Sequence, residues 1–157
     1  MFNIVLVHPK IPPNTGNIAR LCVNLGAKLH LIEPLGFDIS EKAVRRAGLD
    51  YWKDLDLTVW ESIEAFLAEH PIDGHCHLAT TKTERLYWEA EYHPGDWLIF
   101  GSETEGLPAE LLQSRPDRCI TIPMSPAGRS INLSVAVGIV AYEALRQSAS
   151  RLGELRM

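Results

Sequence analysis

Short apolar, β-branched runs recur along the chain at "NIVLVH" (3–8), "KLHLIE" (28–33), "LTVW" (57–60), "CHLATT" (76–81), "DWLIFG" (96–101) and "RCITIP" (118–123). Runs of this length and composition predict six strands. Between them lie helical patterns: "NIARLCVNLG" with Gly26 as a stop, "SEKAVRRAG" with Ser40 as a cap, "SIEAFLAEHP" with Ser62 as a cap and Pro71 beyond its end, and "PAELLQS" opening on Pro108. Strands alternating with helices predict an α/β fold with a parallel, helix-covered sheet. No repeat, low-complexity segment or long linker divides the chain, so residues 1–157 read as one domain.

The unusual loop chemistry is confined to the carboxyl ends of these strands. "PKIPPNTGN" follows the first, "TTKT" the fourth, "GSETEGLP" the fifth and "PMSPAGRSIN" the sixth. Ligands of open parallel sheets bind at that edge, where the turns converge on a crevice, so one composite site is expected there. The last helix, from about Asn132 to Arg146, carries no charge between Arg129 and Glu143. A helix apolar nearly all round must be covered on both sides. The sheet covers one side, and a second copy of the chain in a two-fold homodimer is the expected cover for the other.

Composition narrows the picture. With 46% hydrophobic residues the 157-residue chain can build a core, while a formal charge of −5 gives no general attraction to nucleic acid. Any RNA contact therefore needs a local basic patch. Lys42, Arg45 and Arg46 supply the best candidate, at three- and four-residue spacing on one helical face, with Lys82 and Arg85 as further cations. Cys22, Cys76 and Cys119 lie far apart with no paired spacing, which argues against a disulfide framework or zinc knuckle and for a reducing cytoplasm. The start "MFNIVLVHPKIPPN" lacks the basic residues and apolar length of a signal sequence, and no membrane partner is expected.

Each motif also has an ordinary reading. "PPNTGNIAR" (12–20) sets Asn14 and Gly16 at a helix entrance with Arg20 a turn further in, yet such clusters mark plain turns, with Thr15 as a cap. "GSETEGL" (101–107) has two glycines but no Lys-Ser/Thr and no third glycine, which disfavours a nucleotide triphosphate or dinucleotide site. In "HCH" (75–77) strand alternation sends His75 and His77 to one face and Cys76 to the other, and with no third ligand in reach a structural role is expected and no metal. Trp52, Trp60, Trp88 and Trp97 lack the paired spacing of an RNA-binding sheet and read as core or interface.

Taken together, "NTGNIAR", "FGSETEGLP" and "IPMSPAGRSINLSVAVGIVAYEALR" resemble, in order and spacing, the three motifs of the SPOUT superfamily of S-adenosyl-L-methionine-dependent RNA methyltransferases, in its TrmH-like 2′-O-ribose branch. The resemblance spans essentially the whole chain. "NIVLVHPKIPPNTGNIARLC", "HLIEPLGF" and "RRAGLDYW" are similar in particular to minimal enzymes of that branch that act on the tRNA wobble nucleotide. It implies a parallel sheet whose C-terminal segment is threaded into a trefoil knot, and a homodimer. It implies that S-adenosyl-L-methionine touches Ala79, Gly101, Ile122, Met124, Ser130 and Leu133 and leaves as S-adenosyl-L-homocysteine. It places Arg20 beside the reacting hydroxyl, with Asn14, Glu103, Ser130 and Asn132 around it, and the anticodon loop of tRNA, leucine tRNAs in particular, as the partner. A guanidinium so rarely deprotonates that Arg20 is expected to act as a cation. The same methyl transfer on another tRNA or ribosomal nucleotide, and a non-catalytic RNA-binding relative, are the competing readings.

Overall fold

Ile4 and Leu6 of the first strand turn to one side of a sheet and Val5 and Val7 to the other, and all four are buried. A strand apolar on both faces needs cover on both, and in the computed structural model it has it. The structure describes residues 1–46 and 49–148, apart from the side chains at 41, 44, 45 and 50. The strands are β1 (Asn3–Val7), β2 (Lys28–Ile32), β3 (Leu57–Trp60), β4 (Cys76–Ala79), β5 (Trp97–Phe100) and β6 (Cys119–Ile120). All pair in parallel, in the order β3-β2-β1-β5-β4-β6. The helices are α1 (Pro12–Leu25), α2 (Glu41–Arg46), α3 (Ile63–Glu69), α4 (Ala109–Ser114) and α5 (Leu133–Gln147).

On one face Ile18, Ala19 and Cys22 of α1 and Val137, Val140, Ala141 and Ala144 of α5 close over Ile4, Leu6, Leu98 and Phe100. On the other, Phe66 of α3 and Leu111 and Leu112 of α4 close over Val5, Val7, Leu78 and Ile99. Each fully buried Val, Leu, Ile or Phe among them stabilises the fold by about 1.5–3 kcal/mol relative to exposure. The expected α/β class, with six strands in one sheet, is what the chain forms.

Two boundaries differ from the pattern. Helix α1 starts at Pro12 rather than Asn17. Pro12 and Pro13 fill its first positions, where a missing N–H costs nothing because those groups have no partner inside the helix. Thr15 therefore lies inside the helix instead of capping it, with its hydroxyl buried and without a partner among the described residues. Strand β6 stops at Ile120 because Thr121 turns from β4 to the connecting loop, donating to the Arg85 carbonyl at 2.8 Å and accepting from the Tyr87 N–H at 2.9 Å. The caps fall as expected: Gly26 ends α1 with φ 62°, and Ser62 accepts from the Ala65 N–H at 3.1 Å.

His75 and His77 do face one side, and both are held by one residue. Asp96, fully buried, accepts from His75 Nδ1 and His77 Nε2, each at 2.9 Å, and from the His93 N–H at 2.8 Å. Burial raises the Asp96 pKa, but hydrogen bonds from His77, His93 and His75 outweigh it and hold the carboxyl below its ordinary value. The pair thus anchors the amino ends of β4 and β5.

His30 on β2 is buried among Trp60, Phe66 and Trp97 and accepts from Trp60 Nε1 at 3.2 Å through Nδ1. Burial, then the nearby His70, push its pKa down from 6.5 to about 4. The folded protein resists protonation there more than the unfolded chain does. Its contribution is therefore complete above pH 6.5 and is lost as pH falls from there through about 4, to a limit of about 3 kcal/mol. Urea unfolding of His30→Gln between these pH values is expected to show a markedly shallower acid slope than the parent. An unchanged slope would assign the acid sensitivity elsewhere.

Candidate active site

The chain leaves β1 through His8, whose φ of 53° is one that non-glycine residues adopt sparingly. This turn sends Pro9, Lys10 and Ile11 across the carboxyl ends of the strands. Gly36 buttresses the crossing: its N–H donates to the Pro9 carbonyl at 2.9 Å, and a Cβ there would sit 2.7 Å from the Lys10 backbone. The Lys10 and Ile11 N–H groups then donate to Glu103 at 2.8 and 3.0 Å. Glu103, from the loop after β5, thus caps α1 from 92 residues away, on the helix end that favours a negative charge.

Asn14 carries the connection onward. Its Nδ2 donates to Glu103 Oε1 at 3.2 Å, and its Oδ1 accepts from Asn132 Nδ2 at 2.9 Å. Asn132 Oδ1 accepts from the Ser134 N–H at 2.9 Å and the Ser134 hydroxyl at 2.7 Å, which makes it the cap of α5. Every step of the chain Glu103, Asn14, Asn132, α5 has a fixed donor and a fixed acceptor. The segments after β1, β5 and β6 are joined through the side chains of Glu103, Asn14 and Asn132 and the N–H groups of Lys10 and Ile11.

Beside this chain lies a cavity of about 510 Å³. Ala79, Gly101, Ile122, Met124, Ser130 and Leu133 all line it, as do Asn14, Glu103 and Asn132. The residues that the resemblance assigns to a cofactor, and four of the five it assigns around the hydroxyl, thus share one space. Arg20 does not line it. It is exposed on the outer side of α1 with its guanidinium 4.9 Å above the Tyr51 ring, and the Tyr51 hydroxyl donates to the Gly16 carbonyl at 2.7 Å. Lys42 and Arg46 are exposed on α2 and also lie off the cavity wall, and the side chain of Arg45 lies outside the described residues.

Glycine matters here for a reason the sequence hides. A Cβ on Gly101 would collide with the backbone of Gly106 and Leu107. The bare Cα lets the loop fold back on itself, with Gly106 at φ 69° and its N–H bonded to the Ser102 carbonyl at 3.0 Å. That return presents Glu103 to α1. Burial raises the Glu103 pKa, but the hydrogen bonds from Lys10, Ile11 and Asn14 prevail and hold it below the ordinary value. Three of about four acceptor sites on the carboxylate are thereby filled. Glu103 is an anchor, ionised at neutral pH.

The pattern missed His8, Lys10 and Gly36, whose partners are remote in sequence, and Arg129, which lines the cavity beside Ser130. Only the glycine in "PLGF" hinted at a close backbone approach.

Fold and site together define an RNA-methylase architecture: the chain belongs to the SpoU rRNA Methylase family, which it matches over residues 1–142. It is 48% identical over 150 residues, 94% of this chain and 96% of the relative, to the tRNA (cytidine(34)-2′-O)-methyltransferase of Burkholderia ambifaria. A solved structure concerned with 2-OH methylation of C/U34 on tRNA is 45% identical, with a TM-score of 0.87, over 96% of this chain and 98% of that one. The SpoU methyltransferase AviRb of Streptomyces viridochromogenes, solved with its cofactor AdoMet, is 25% identical with a TM-score of 0.73, over 94% of this chain and 58% of that one.

The hydrogen-bond chain predicts an order of severity. Asn14→Ala leaves partners on Glu103 and Asn132 unmade, at about 1–3 kcal/mol. Asn14→Asp is nearly isosteric but sets a second carboxylate at hydrogen-bond distance from Glu103, so at pH 7 it is expected to destabilise more than alanine. Chemical unfolding of both variants checks this, and an aspartate variant as stable as the parent would contradict the assigned polarity.

Proposed function

We propose that this chain transfers the methyl group of S-adenosyl-L-methionine to the ribose 2′-hydroxyl of tRNA nucleotide 34, a cytidine or modified uridine, with leucine tRNAs among its substrates, and releases S-adenosyl-L-homocysteine. One observation carries the reading: the residues expected to hold the cofactor and those expected around the hydroxyl line the same cavity. The cavity suits the molecule. Its volume lies in the range of small-molecule sites, and Ile122, Met124 and Leu133 offer apolar faces to a nucleobase. The loop after β5 closes on its own backbone instead of forming a phosphate cradle, as befits a nucleoside without phosphate.

When bound, S-adenosyl-L-methionine supplies an electrophilic methyl whose leaving group is a neutral thioether. The chain's own task is to align a hydroxyl with it and to manage one proton. Ser130 and the amides of Asn14 and Asn132 are the polar groups placed to orient that hydroxyl. Glu103 acts by holding Asn14 in register, since its oxygens are already engaged. Arg20 stands outside the cavity, so of the roles open to a guanidinium, gripping RNA phosphate is the one its position in a single chain supports.

Two structural features belong to the same reading. The segment after β6 is threaded into a trefoil knot, a reading supported by the family to which the chain belongs. The protein works as a cytoplasmic homodimer. Val135 and Tyr142, 52% and 54% exposed at seven-residue spacing, form an apolar outer face of α5 that a second copy would cover. An anticodon loop can splay its unpaired nucleotide into the cavity without melting a helix.

Incubating the protein with labelled S-adenosyl-L-methionine and cellular tRNA is expected to place label on the ribose of nucleotide 34. Label at another nucleotide would redirect the substrate, and failure to bind the cofactor by calorimetry would leave only RNA binding. Arg20→Ala is expected to lower kcat/KM for RNA about tenfold and Arg20→Lys to recover much of it, at unchanged cofactor affinity. Loss confined to kcat in both would return Arg20 to the reacting hydroxyl.

A further inference from the structure

With 15 lysines and arginines against 20 acidic residues, the chain repels a polyanion at long range. RNA must then be held by cations placed where it docks. Four cations elsewhere already have a carboxylate partner. Lys28 pairs with Asp56 at 3.5 Å, Arg115 and Arg118 with Asp117 at 2.9 and 3.0 Å, and Arg146 with Glu143 at 2.8 Å. At the site itself Lys10 is bound to Glu105 at 3.0 Å, and Arg85, which donates to the Asp117 carbonyl at 2.8 Å, does not line the cavity.

Lys82 and Arg129 are different. Both are exposed, both line the cavity, and among the described residues the side chain of neither makes an ion pair or hydrogen bond. Lys82 follows β4 and Arg129 follows β6, neighbouring strands whose outgoing segments are tied together by the Thr80 N–H on the Ile120 carbonyl at 2.9 Å and by Thr121 on Arg85 and Tyr87. The Lys82 N–H is fixed on Thr80 Oγ1 at 3.2 Å. The carboxylates on the same walls do not compete. Glu105 is neutralised by Lys10, and Glu103 is engaged by N–H groups at the positive end of α1.

We propose that Lys82 and Arg129 form a phosphate clamp at the cavity mouth that grips the RNA backbone on either side of the nucleotide being methylated. This rests on the function proposed above and adds to it a second contact region, separate from the basic face of α2. The guanidinium of Arg129 can take two phosphate oxygens side by side, and Lys82 acts as a compact charge. The one other anion that would reach this mouth is the carboxylate of S-adenosyl-L-methionine, and affinity for that compound separates the two sources.

The test is the salt dependence of binding to an unmodified tRNA, measured for the parent, Lys82→Ala, Arg129→Ala, Arg129→Lys and, as a control at the opposite edge of the sheet, Lys28→Ala. Each alanine variant at the mouth is expected to bind RNA several-fold more weakly at low salt. Each should also reduce the slope of log affinity against log salt by about 0.7, the share of one phosphate contact on a single strand. Arg129→Lys should restore the slope, Lys28→Ala should leave it unchanged, and calorimetric affinity for S-adenosyl-L-methionine should stay constant. Parental slopes in the alanine variants would overturn the clamp, as would a loss of cofactor affinity in place of RNA affinity. A parent that binds no tRNA would instead sink the function on which the clamp rests.

Discussion

The site depends on one amide. Asn14 donates to Glu103 and accepts from Asn132, and these two bonds join segments 89 and 118 residues apart in the chain. Asparagine alone among the side chains of its size has one donor end and one acceptor end. Aspartate could serve Asn132 but not Glu103, and glutamine would overshoot a position that is 5% exposed. Each bond contributes only about 1 kcal/mol net, but leaving a buried partner unmade costs more than the bond itself contributes, so the three loops form or fail together. That coupling lets loops, ordinarily the mobile parts of a fold, hold a cavity in a fixed shape.

The consequence for chemistry is a separation of tasks. A carboxylate beside a reacting hydroxyl invites the role of general base. Glu103 is tied instead to two backbone N–H groups and an amide, which hold its pKa down and leave it little appetite for a proton. Its charge is used in capping α1, where two prolines have already removed two of the orphan donors. Apart from the engaged carboxylate of Glu103, what this network turns to the cavity is neutral: the amides of Asn14 and Asn132, with the hydroxyl of Ser130 beside them.

Whatever depended on local periodicity was legible in the sequence. The six strands, the alternation of Ile4 and Leu6 against Val5 and Val7, the stop at Gly26 and the cap at Ser62 all follow from neighbours a few residues apart. The site residues were legible only as motifs, and the motifs named side chains that line the cavity without showing their bonds. Nothing within ten residues of Glu103 hints that its partners are Lys10 and Ile11. Gly101 lines the cavity as the motif implies, but the motif does not show that the backbone of Gly106 and Leu107 is what excludes a Cβ there. Arg20 ends the motif in sequence but lies six residues beyond Asn14 on a helix, about 240° around the axis, which carries it to the outer side.

Sheet topology explains why these loops and no others meet. From β1 the chain order runs outward through β2 and β3 in one direction, while β5, β4 and β6 occupy the other. The connections after β1 and β5 therefore leave the sheet in opposite senses, and a crevice opens between the carboxyl ends of this adjacent pair, which is where ligands of open parallel sheets settle. Glu103 and Asn14 bridge that crevice, one from each side. β4 and β6 then extend its floor away from α1, so residues that leave those strands form the far wall. A small cofactor can be enclosed between the near and far walls, but a polymer must cross the rim. On that geometry the cations able to hold a nucleic acid against the reacting group belong on the far wall, after β4 and β6, and Lys82 and Arg129 stand there.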